Sequence, residues 1–322
     1  MSSSTVATTP TPTTLTLAAH AKLNLVLAIG PLREDGYHGV MSAMQALELA
    51  DMVTVKLGDE VSSGLPGAAG AGAAAAASVR TPGAAAAERA NGAPNIVVDA
   101  PTLVGGDTLA TRAARDYMQV LVAQTNVPAR DVHVTLDKVI PVGAGLGGGS
   151  SNAAAVLVAL DQLLGSPLSV EQVSAIAAGI GSDVPFFLSP TRSAICSGRG
   201  EIVMPLPPLP ERRVLLAWPR VEQSTAAIYA AHMVRRDVLP LSAAVAANAR
   251  HGTCYNDLTG TALALCKPMR AVSAAIERAG IMPLVAGSGA TVAALLSDDA
   301  DVRELQRELE ALGCWTIVTS TC

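Results

Sequence analysis

Residues 141–152 (PVGAGLGGGSSN) constrain the fold of this chain more than any other segment. The alternating apolar residues Val132, Val134 and Leu136 predict a strand before them, and a strongly apolar helix is predicted over residues 149–164. The five glycines of the segment let the backbone adopt positive φ and approach a ligand closely. Because a glycine loop before a helix directs backbone N–H groups and the helix dipole at one point, the segment predicts a phosphate site.

The details of this segment indicate which phosphate ligand it suits. Ser150 and Ser151 add hydroxyl groups for phosphate oxygens or for the ligand shell of a magnesium ion. The G-K-[ST] ending of a Walker A loop is missing. A G-x-G-x-x-G spacing does begin at Gly143, but the next acidic residue, Asp161, falls inside the helix instead of ending a second strand. The segment favours ATP phosphates over a dinucleotide, and the alternative is a flexible loop that binds nothing.

Two ionisable residues stand in apolar surroundings. Lys22 lies within residues 21–25 (AKLNL) of a predicted strand, where an unpaired ammonium would be costly to bury. Asp183 lies in a tight turn before an apolar stretch, and its carboxylate could take or orient a hydroxyl proton. The structural alternatives are a lysine on the solvent face of an edge strand and an aspartate that caps a turn or helix.

Two further segments suit ligand recognition. Tyr37 and His38 are adjacent in a loop and could stack on, and hydrogen-bond to, a base or ring. Residues 286–291 (AGSGAT) predict a second glycine turn between two strands, which could form a backing wall for phosphates. An ordinary surface turn and a plain hairpin turn are the alternatives.

Composition excludes several classes of function. The net charge is −5 and no long run of Lys or Arg occurs, which argues against a nucleic-acid surface. No unbroken stretch of about 20 apolar residues predicts a membrane span. The five cysteines form no C-x-x-C pair, so free thiols in a reducing cytoplasm are expected, without a disulfide framework or a structural zinc site.

The order of predicted elements indicates an α+β protein with two lobes. A disordered tail is expected over residues 1–14, an N-terminal ATP-binding domain over 15–195 and a C-terminal substrate-binding domain over 196–322. Residues 58–94, rich in Ala and Gly, are expected to be a mobile surface insertion of unassigned function. Helices are also predicted over 107–124, 224–234, 258–279 and 299–312, and strands over 213–218 and 315–319.

Taken together, these segments resemble the GHMP kinase superfamily, and the resemblance runs from about residue 15 to the C-terminus. The three superfamily motifs occur in order at residues 21–25, 141–152 and 285–292. The Asp-Gly-Tyr-His block at residues 35–38 is typical of the branch that phosphorylates a cytidine-diphospho sugar alcohol for isoprenoid precursors by the non-mevalonate route.

The resemblance implies a two-lobed fold with the active site in the cleft, and transfer of the γ-phosphate of ATP, with Mg²⁺, to a substrate hydroxyl. Asp183 would be the catalytic base and Lys22 its cationic neighbour. The implied nucleotide-binding residues are Pro141, Gly143, Gly145, Leu146, Gly147, Gly148, Gly149, Ser150, Ser151 and Lys138. The implied substrate-binding residues are Asn24, Tyr37, His38, Thr225, Tyr229, Gly287, Ser288 and Gly289.

The chain departs from the family at one position on the adenine side of the site. Thr108 stands where the family often has Asn. No acidic magnesium ligand is assigned, and a monomer or weak homodimer is expected. Three alternatives compete: another GHMP kinase of the homoserine or mevalonate type, a non-catalytic nucleotide-binding relative, and a nicotinamide-dependent oxidoreductase. The paired presence of Lys22 and Asp183 argues against the second, and the missing strand-end acid argues against the third.

Overall fold

The computed structural model describes residues 13–60, 77–80, 94–100, 108–234 and 237–322, with backbone alone for 77–80. Strands and helices are both abundant there, which confirms the α+β class. The strands are β1 (Thr14–Leu32), β2 (His38–Glu60), β3 (Ala77–Arg80), β4 (Ile96–Asp99), β5 (Arg130–Asp137), β6 (Ser193–Gly198), β7 (Ile202–Pro205), β8 (Arg213–Trp218), β9 (Tyr255–Asn256), β10 (Pro283–Val285), β11 (Val292–Leu296) and β12 (Trp315–Ser320). The helices are α1 (Leu109–Gln124), α2 (Gly148–Leu163), α3 (Val170–Ile180), α4 (Val184–Leu188), α5 (Thr225–Ala231), α6 (Ser242–His251), α7 (Thr259–Leu265), α8 (Lys267–Arg278) and α9 (Arg303–Ala311).

The first sheet is built on the long antiparallel pair β1 and β2. Its described part has eight strands in the order β3-β4-β5-β2-β1-β9, with β6 paired to β2 and β7 paired to β6. Alternate residues of β5, such as Val132 and Val134, turn inward and share a core with Tyr117 of α1 and Leu157 of α2. The period-two pattern of the strand therefore buries one face of this sheet beneath helices.

The second sheet contains β10, β11, β8 and β12 in that order, and all neighbouring pairs are antiparallel. Leu215 of β8 and Val292 of β11 share a core with Met269 and Ile276 of α8 and Leu305 of α9. The strongly amphipathic sequences of α8 and α9 explain this packing, because each helix presents one apolar face to the sheet.

A third core joins the two sheets. Leu23 and Leu25 of β1 pack there with Val214 and Leu216 of β8, whose neighbour Leu215 faces the opposite core. β9 pairs in parallel with β1, and an isolated bridge links Leu47 with Thr321. The two sheets are therefore joined by this shared apolar core and by the backbone bridge between Leu47 and Thr321.

The division of the chain into domains remains a proposal. The predicted boundary after residue 195 falls within β6, and both β6 and β7 pair into the first sheet. We propose to place the boundary in the connection between Pro205 and Arg213 instead. No helix within the described ranges is long and apolar enough to cross a bilayer.

Several predicted elements are confirmed and some are wrong. The strand over residues 213–218 matches β8, and α1 begins after an N-cap at Thr108. The single helix predicted over 258–279 is wrong, because the chain breaks at Cys266 and Pro268 lies in the first turn of a new helix, α8. The helix predicted over 224–234 is shorter, since α5 ends at Ala231.

Other predictions fall partly beyond the described residues. Of the expected tail, residues 1–12 lie outside them, and β1 already begins at Thr14. Of the expected insertion, residues 61–76 and 81–93 lie outside them. Inside that insertion β3 pairs in parallel with β4, so this part of it extends the first sheet.

Candidate active site

A cleft of about 770 Å³ is lined by residues of both halves of the chain. It brings together most of the residues that the sequence singled out, although they are spread over more than 260 positions. Those lining it are Lys22, Asn24, Tyr37, His38, Gly145, Gly147, Ser150, Asp183, Thr225, Tyr229, Gly287 and Ser288. The predicted residues that do not line it are Lys138, Pro141, Gly143, Leu146, Gly148, Gly149, Ser151 and Gly289.

Residues 141–149, called the glycine loop below, form one wall of the cleft. Gly143, Gly145 and Gly147 have φ of +70°, +80° and +74°, which glycine adopts without strain. Gly147 is the N-cap of α2 and supplies no side-chain cap, so the first N–H groups of the helix keep their capacity to bind an anion. Ser150 reaches the cleft, whereas Ser151 is 2% exposed and does not line it.

Lys22 and Asp183 meet beside this loop. The Lys22 Nζ atom lies 3.3 Å from Asp183 Oδ2 and donates to Asn24 Oδ1 at 2.7 Å. Asn24 Nδ2 donates in turn to Ser42 Oγ, which donates to the Val26 carbonyl oxygen. Lys22 is only 4% exposed, so this chain of contacts fixes its ammonium group beside the carboxylate.

The local backbone explains why these side chains face the cleft. The pairing register of β1 against β2 shifts between His20 and Lys22 and again between Asn24 and Val26. Such irregularities often re-aim side chains beside active sites. Asp183 precedes α4 as its N-cap residue, yet its side chain makes no capping hydrogen bond. The carboxylate therefore does not serve as the turn cap that was the structural alternative.

Aromatic side chains gather at the other end of the cleft. The ring centroids of His38 and Tyr229 are 5.9 Å apart with an interplanar angle of 35°. Tyr37 is 55% exposed, and the guanidinium of Arg199 lies 5.1 Å from its ring centroid. His38 Nδ1 lies 3.0 Å from the Gly30 carbonyl oxygen, which can only accept, so Nδ1 carries a proton.

Residues 286–291, called the glycine turn below, adjoin the glycine loop, and Gly287 and Ser288 of this turn line the cleft. Thr225 Oγ1 and Ser288 Oγ lie 2.9 Å apart and join the start of α5 to this turn. Asn256 Nδ2 donates to the carbonyl oxygens of Val285 and Gly287 at 2.8 and 2.6 Å. The glycine turn is thus held in place by the buried amide of Asn256 and by the hydroxyl pair of Thr225 and Ser288.

Burial raises the pKa of two weak acids near the catalytic pair, Tyr229 and Cys196. Burial, followed by the Asp183 charge, raises the pKa of Tyr229 to about 12. Burial is also the main reason that the pKa of the Cys196 thiol is raised to about 12, with Asp183 raising it further and Lys22 opposing. Both groups are neutral near pH 7 and therefore add no charge beside Lys22 and Asp183.

Sequence reasoning missed four residues that shape the site. Arg199 lines the cleft, Asn256 holds the glycine turn, and Asp51 and Asn152 bind Lys138. Asp51 interrupts an apolar strand just as Lys22 does, so the same burial argument could have identified it. Arg199 and Asn256 carry no comparable local signal.

The donor atoms around the glycine loop fit a magnesium ion held mainly by a nucleotide. Within the described ranges no cluster of three or more His, Cys, Asp or Glu side chains could hold a metal by itself. Ser150 and Asp183 both line the cleft and offer a hydroxyl and a carboxylate. Magnesium in phosphoryl-transfer sites typically takes one or two protein oxygens, with phosphates and waters completing its shell.

The chain is similar along most of its length to curated proteins. Residues 108–190 match the family described as GHMP kinases N terminal domain. The 4-diphosphocytidyl-2-C-methyl-D-erythritol kinase of Kineococcus radiotolerans is 34% identical over 317 residues, covering 94% of this chain and 88% of that protein. The protein of the same name from Corynebacterium diphtheriae is 33% identical over 305 residues, covering 92% of each.

Solved structures agree with these relatives. The crystal structure of a 4-(cytidine 5'-diphospho)-2C-methyl-D-erythritol kinase is 28% identical with a TM-score of 0.69, covering 96% of this chain and 100% of that one. A homoserine kinase from Cytophaga hutchinsonii, 15% identical with a TM-score of 0.61 over 99% and 97% of the two chains, shares the fold alone. The predicted two-lobed kinase fold is confirmed, and this chain belongs to the GHMP kinase family, together with its 4-diphosphocytidyl-2-C-methyl-D-erythritol kinase relatives.

Proposed function

We propose that this chain transfers the γ-phosphoryl group of ATP to a hydroxyl of 4-diphosphocytidyl-2-C-methyl-D-erythritol, in the non-mevalonate synthesis of isoprenoid precursors. The observation that carries the proposal is the contact of Lys22 with Asp183, placed between the glycine loop and the His38–Tyr229 pair. A phosphate-binding wall, an acid–base centre and a ring-binding end are thus arranged in that order along one cleft.

The nucleotide phosphates bind at the glycine loop in this proposal. Backbone N–H groups of the loop and the N-terminus of α2 face the negative phosphate oxygens, and Ser150 adds a hydroxyl. Mg²⁺ bound to the phosphates, with Ser150 and Asp183 as its available protein oxygens, would neutralise part of their charge. At Leu146 the backbone would contact the phosphates, because the side chain is buried. The Leu146 carbonyl oxygen accepts from the Lys22 N–H at 2.9 Å.

Asp183 and Lys22 carry the chemical step. As the substrate hydroxyl oxygen bonds to the γ-phosphorus, its proton passes to the Asp183 carboxylate, and the bond from the γ-phosphorus to the β,γ-bridging oxygen breaks to release ADP. The Lys22 ammonium stabilises the negative charge on the transferring group. Asn24 holds Lys22 in place through its 2.7 Å hydrogen bond.

The aromatic end of the cleft selects the substrate. Tyr37 and His38 of the first half and Tyr229 of the second supply the ring faces and edges that would contact a cytosine ring. Because Nδ1 of His38 carries a proton, Nε2 of the neutral ring is an acceptor, suited to an exocyclic amino group such as that of cytosine. Homoserine and mevalonate have no ring, so this end of the cleft favours the cytidine compound over them.

Cysteine usage and net charge support further parts of the proposal. The five cysteines are all free, which supports a reducing cytoplasm. The net charge of −5 supports a small-molecule substrate over nucleic acid. We propose a monomer or weak homodimer that acts away from membranes.

A substrate panel tests the proposal. Purified protein with ATP and Mg²⁺ is expected to release ADP with 4-diphosphocytidyl-2-C-methyl-D-erythritol and not with homoserine or mevalonate. Equal turnover of either of the latter would overturn the assigned substrate.

Asp183→Asn tests the assigned base. The change keeps the size of the side chain and removes its capacity to take a proton, so kcat is expected to fall by about 100-fold or more. Asp299→Asn, the same change at an exposed position, is the control and is expected to leave kcat unaltered. Wild-type kcat in folded Asp183→Asn protein would remove Asp183 from the mechanism.

A further inference from the structure

The carboxylate of Asp51 is fully buried beneath the glycine loop. Its exposed fraction is 0%, and it accepts four hydrogen bonds. Oδ1 accepts from the backbone N–H groups of Val139 and Ile140 at 2.7 and 2.8 Å. Oδ2 accepts from Lys138 Nζ at 2.5 Å and from Asn152 Nδ2 at 2.9 Å. A buried carboxylate is costly unless charge and hydrogen bonds compensate it, and here both do.

The donors come from both ends of the glycine loop. Lys138, Val139 and Ile140 precede the loop, and Asn152 follows it in the second turn of α2. Lys138 Nζ also donates to Asn152 Oδ1 at 2.9 Å, which closes a triangle of three side chains. Asp51 itself belongs to β2, so the triangle ties both ends of the loop to the central strand pair of the first sheet.

The packing above the triangle leaves little freedom. A Cβ atom added at Gly148 would lie 2.9 Å from Ile140 Cγ2 and 3.3 Å from Lys138 Nζ. The first residue of α2 therefore rests directly on the side chains that Asp51 anchors. A change in the triangle is transmitted to the helix N-terminus, where the N–H groups that suit phosphate are located.

Two explanations of such a buried charge network differ in their consequences. Buried ion pairs often contribute little net stability compared with apolar residues of similar volume, but they can fix one geometry. If Asp51 only stabilised the fold, removing the charges of Asp51 and Lys138 together would restore both the stability and the ligand binding that a single substitution loses. If Asp51 fixes the loop, removing both charges would restore stability without restoring ligand binding.

We propose that Asp51 is a positioning residue for the nucleotide, acting through Lys138 and Asn152 to hold the two ends of the glycine loop at the separation that a polyphosphate needs. Lys138 then acts inside this triangle and not on the nucleotide directly. The inference rests on the proposed function only in that the glycine loop binds the phosphates of ATP.

The experiment compares Asp51→Asn with Asp51→Asn/Lys138→Met. Binding of ADP with Mg²⁺ is measured by calorimetry without any acceptor alcohol, next to thermal unfolding and the KM values for ATP and for the alcohol. Asp51→Asn is expected to weaken ADP binding and raise the KM for ATP by about tenfold or more, with the KM for the alcohol within about twofold of wild type. The double variant is expected to unfold near the wild-type temperature and still bind ADP weakly.

Asp137→Asn is the matched control, because it makes the same chemical change at an exposed position next to Lys138. It is expected to bind ADP as the wild type does. Should Asp51→Asn not fold, the double variant alone decides. Wild-type ADP affinity in either folded variant overturns the positioning role, whereas wild-type protein that binds ADP but does not phosphorylate the cytidine alcohol overturns the proposed function instead.

Discussion

The two glycine segments that meet beside the cleft are anchored by different chemistry. The glycine loop rests on the charged triangle of Asp51 and Lys138 with Asn152. The glycine turn rests on the neutral amide of Asn256, which reaches two of its carbonyl oxygens. The lining of the cleft follows the same division, because Lys22, Asp183 and Arg199 come from the first half. The second half contributes Thr225, Ala226, Tyr229, Ala230, Gly287 and Ser288.

This difference suggests a division of work between the halves of the molecule. The first half concentrates the charges that phosphoryl transfer needs, and the second closes the cleft with surfaces that add no competing charge. The two segments also touch: the Thr291 N–H donates to the Ala144 carbonyl oxygen at 3.1 Å. Substitutions at this contact, at the neutral anchor and at the aromatic side chains test the difference between the two halves, and their expected effects decrease in that order.

Gly145→Ala should have the largest effect, because it breaks the contact between the two segments. The new methyl group would lie 2.5 Å from the carbonyl oxygens of Ala286 and Gly289, both of which are backbone atoms that cannot rotate away. We expect kcat/KM to fall by about 100-fold or more, since displacements near 1 Å in an active site have effects of that size. Steady-state kinetics on protein shown by circular dichroism to be folded is the measurement.

Gly143→Ala is the control for that variant. Its φ of +70° is close to the +80° of Gly145, so both substitutions share a backbone strain of about 1–2 kcal/mol. The Cβ at residue 143 would meet only the flexible side chain of Glu222, at 3.0 Å. Equal losses in the two variants would mean that backbone strain, and not the contact between the segments, limits activity.

Asn256→Asp should have an intermediate effect, because it places a carboxylate oxygen where an amide donates to two carbonyl oxygens. Gly287 is close to the catalytic pair, since a Cβ added there would lie 3.5 Å from Lys22 Nζ. We expect kcat to fall by about 10-fold to 100-fold while ADP affinity stays near wild type, whereas Asp51→Asn is expected to weaken ADP binding.

Asn126→Asp makes the same change at an exposed position and should leave both kcat and ADP affinity unaltered. If Asn256→Asp instead weakened ADP binding as strongly as it lowered kcat, the two anchors would not be separable. The proposed division between a charged and a neutral wall would then be wrong.

Tyr229→Phe should have the smallest effect, because the ring face remains. Burial raises the pKa of Tyr229 to about 12, so its hydroxyl is neutral across the working range and its removal changes no charge. We expect kcat/KM for the cytidine alcohol within about fivefold of wild type, and a KM about tenfold higher or more for Tyr229→Ala, which loses the stacking surface.

Tyr229→Phe should also change how stability depends on pH at high pH. The pKa of Tyr229 is higher in the folded than in the unfolded chain, so the stability that this group contributes is present below pH 10 and is lost as the pH rises towards 12. Tyr229→Phe should therefore lose less stability between pH 10 and pH 12 than the wild type, as measured by urea unfolding at each pH. A steeper loss in the variant would contradict the assigned shift.

The parts of the site that follow from local sequence were predictable. The glycine loop, Lys22, Asp183 and the Tyr37–His38 pair each lie in a short segment whose residue types conflict with an ordinary strand or turn, and all of these segments reach the cleft. Asp51 was missed although it carries the same signal as Lys22. Its main partner, Lys138, is 87 positions away, and the sequence does not reveal that the two side chains meet.

Prediction of the fold was limited in the same way, by contacts between residues that are distant in sequence. The strands β5 and β8 were predicted well, because β5 has alternating apolar residues and β8 is a short continuous apolar run. By contrast β9 has two residues and exists through its pairing with β1, so no periodic signal is available for it. Lys138 illustrates a third case: its place beside the loop was predicted, but whether it turns to the nucleotide or to the sheet depends on tertiary packing.

The register shifts of β1 at His20–Lys22 and at Asn24–Val26 have a consequence for insertions and deletions. Between them, Ala21, Leu23 and Leu25 enter the core shared by the sheets, while Lys22 and Asn24 face the cleft. Removing or adding one residue there would exchange the two sets, because the side-chain period of a strand is two. This stretch should therefore accept no change in length, because Lys22 and Asn24 would turn into the core, so variation in the number of residues is expected elsewhere in the chain.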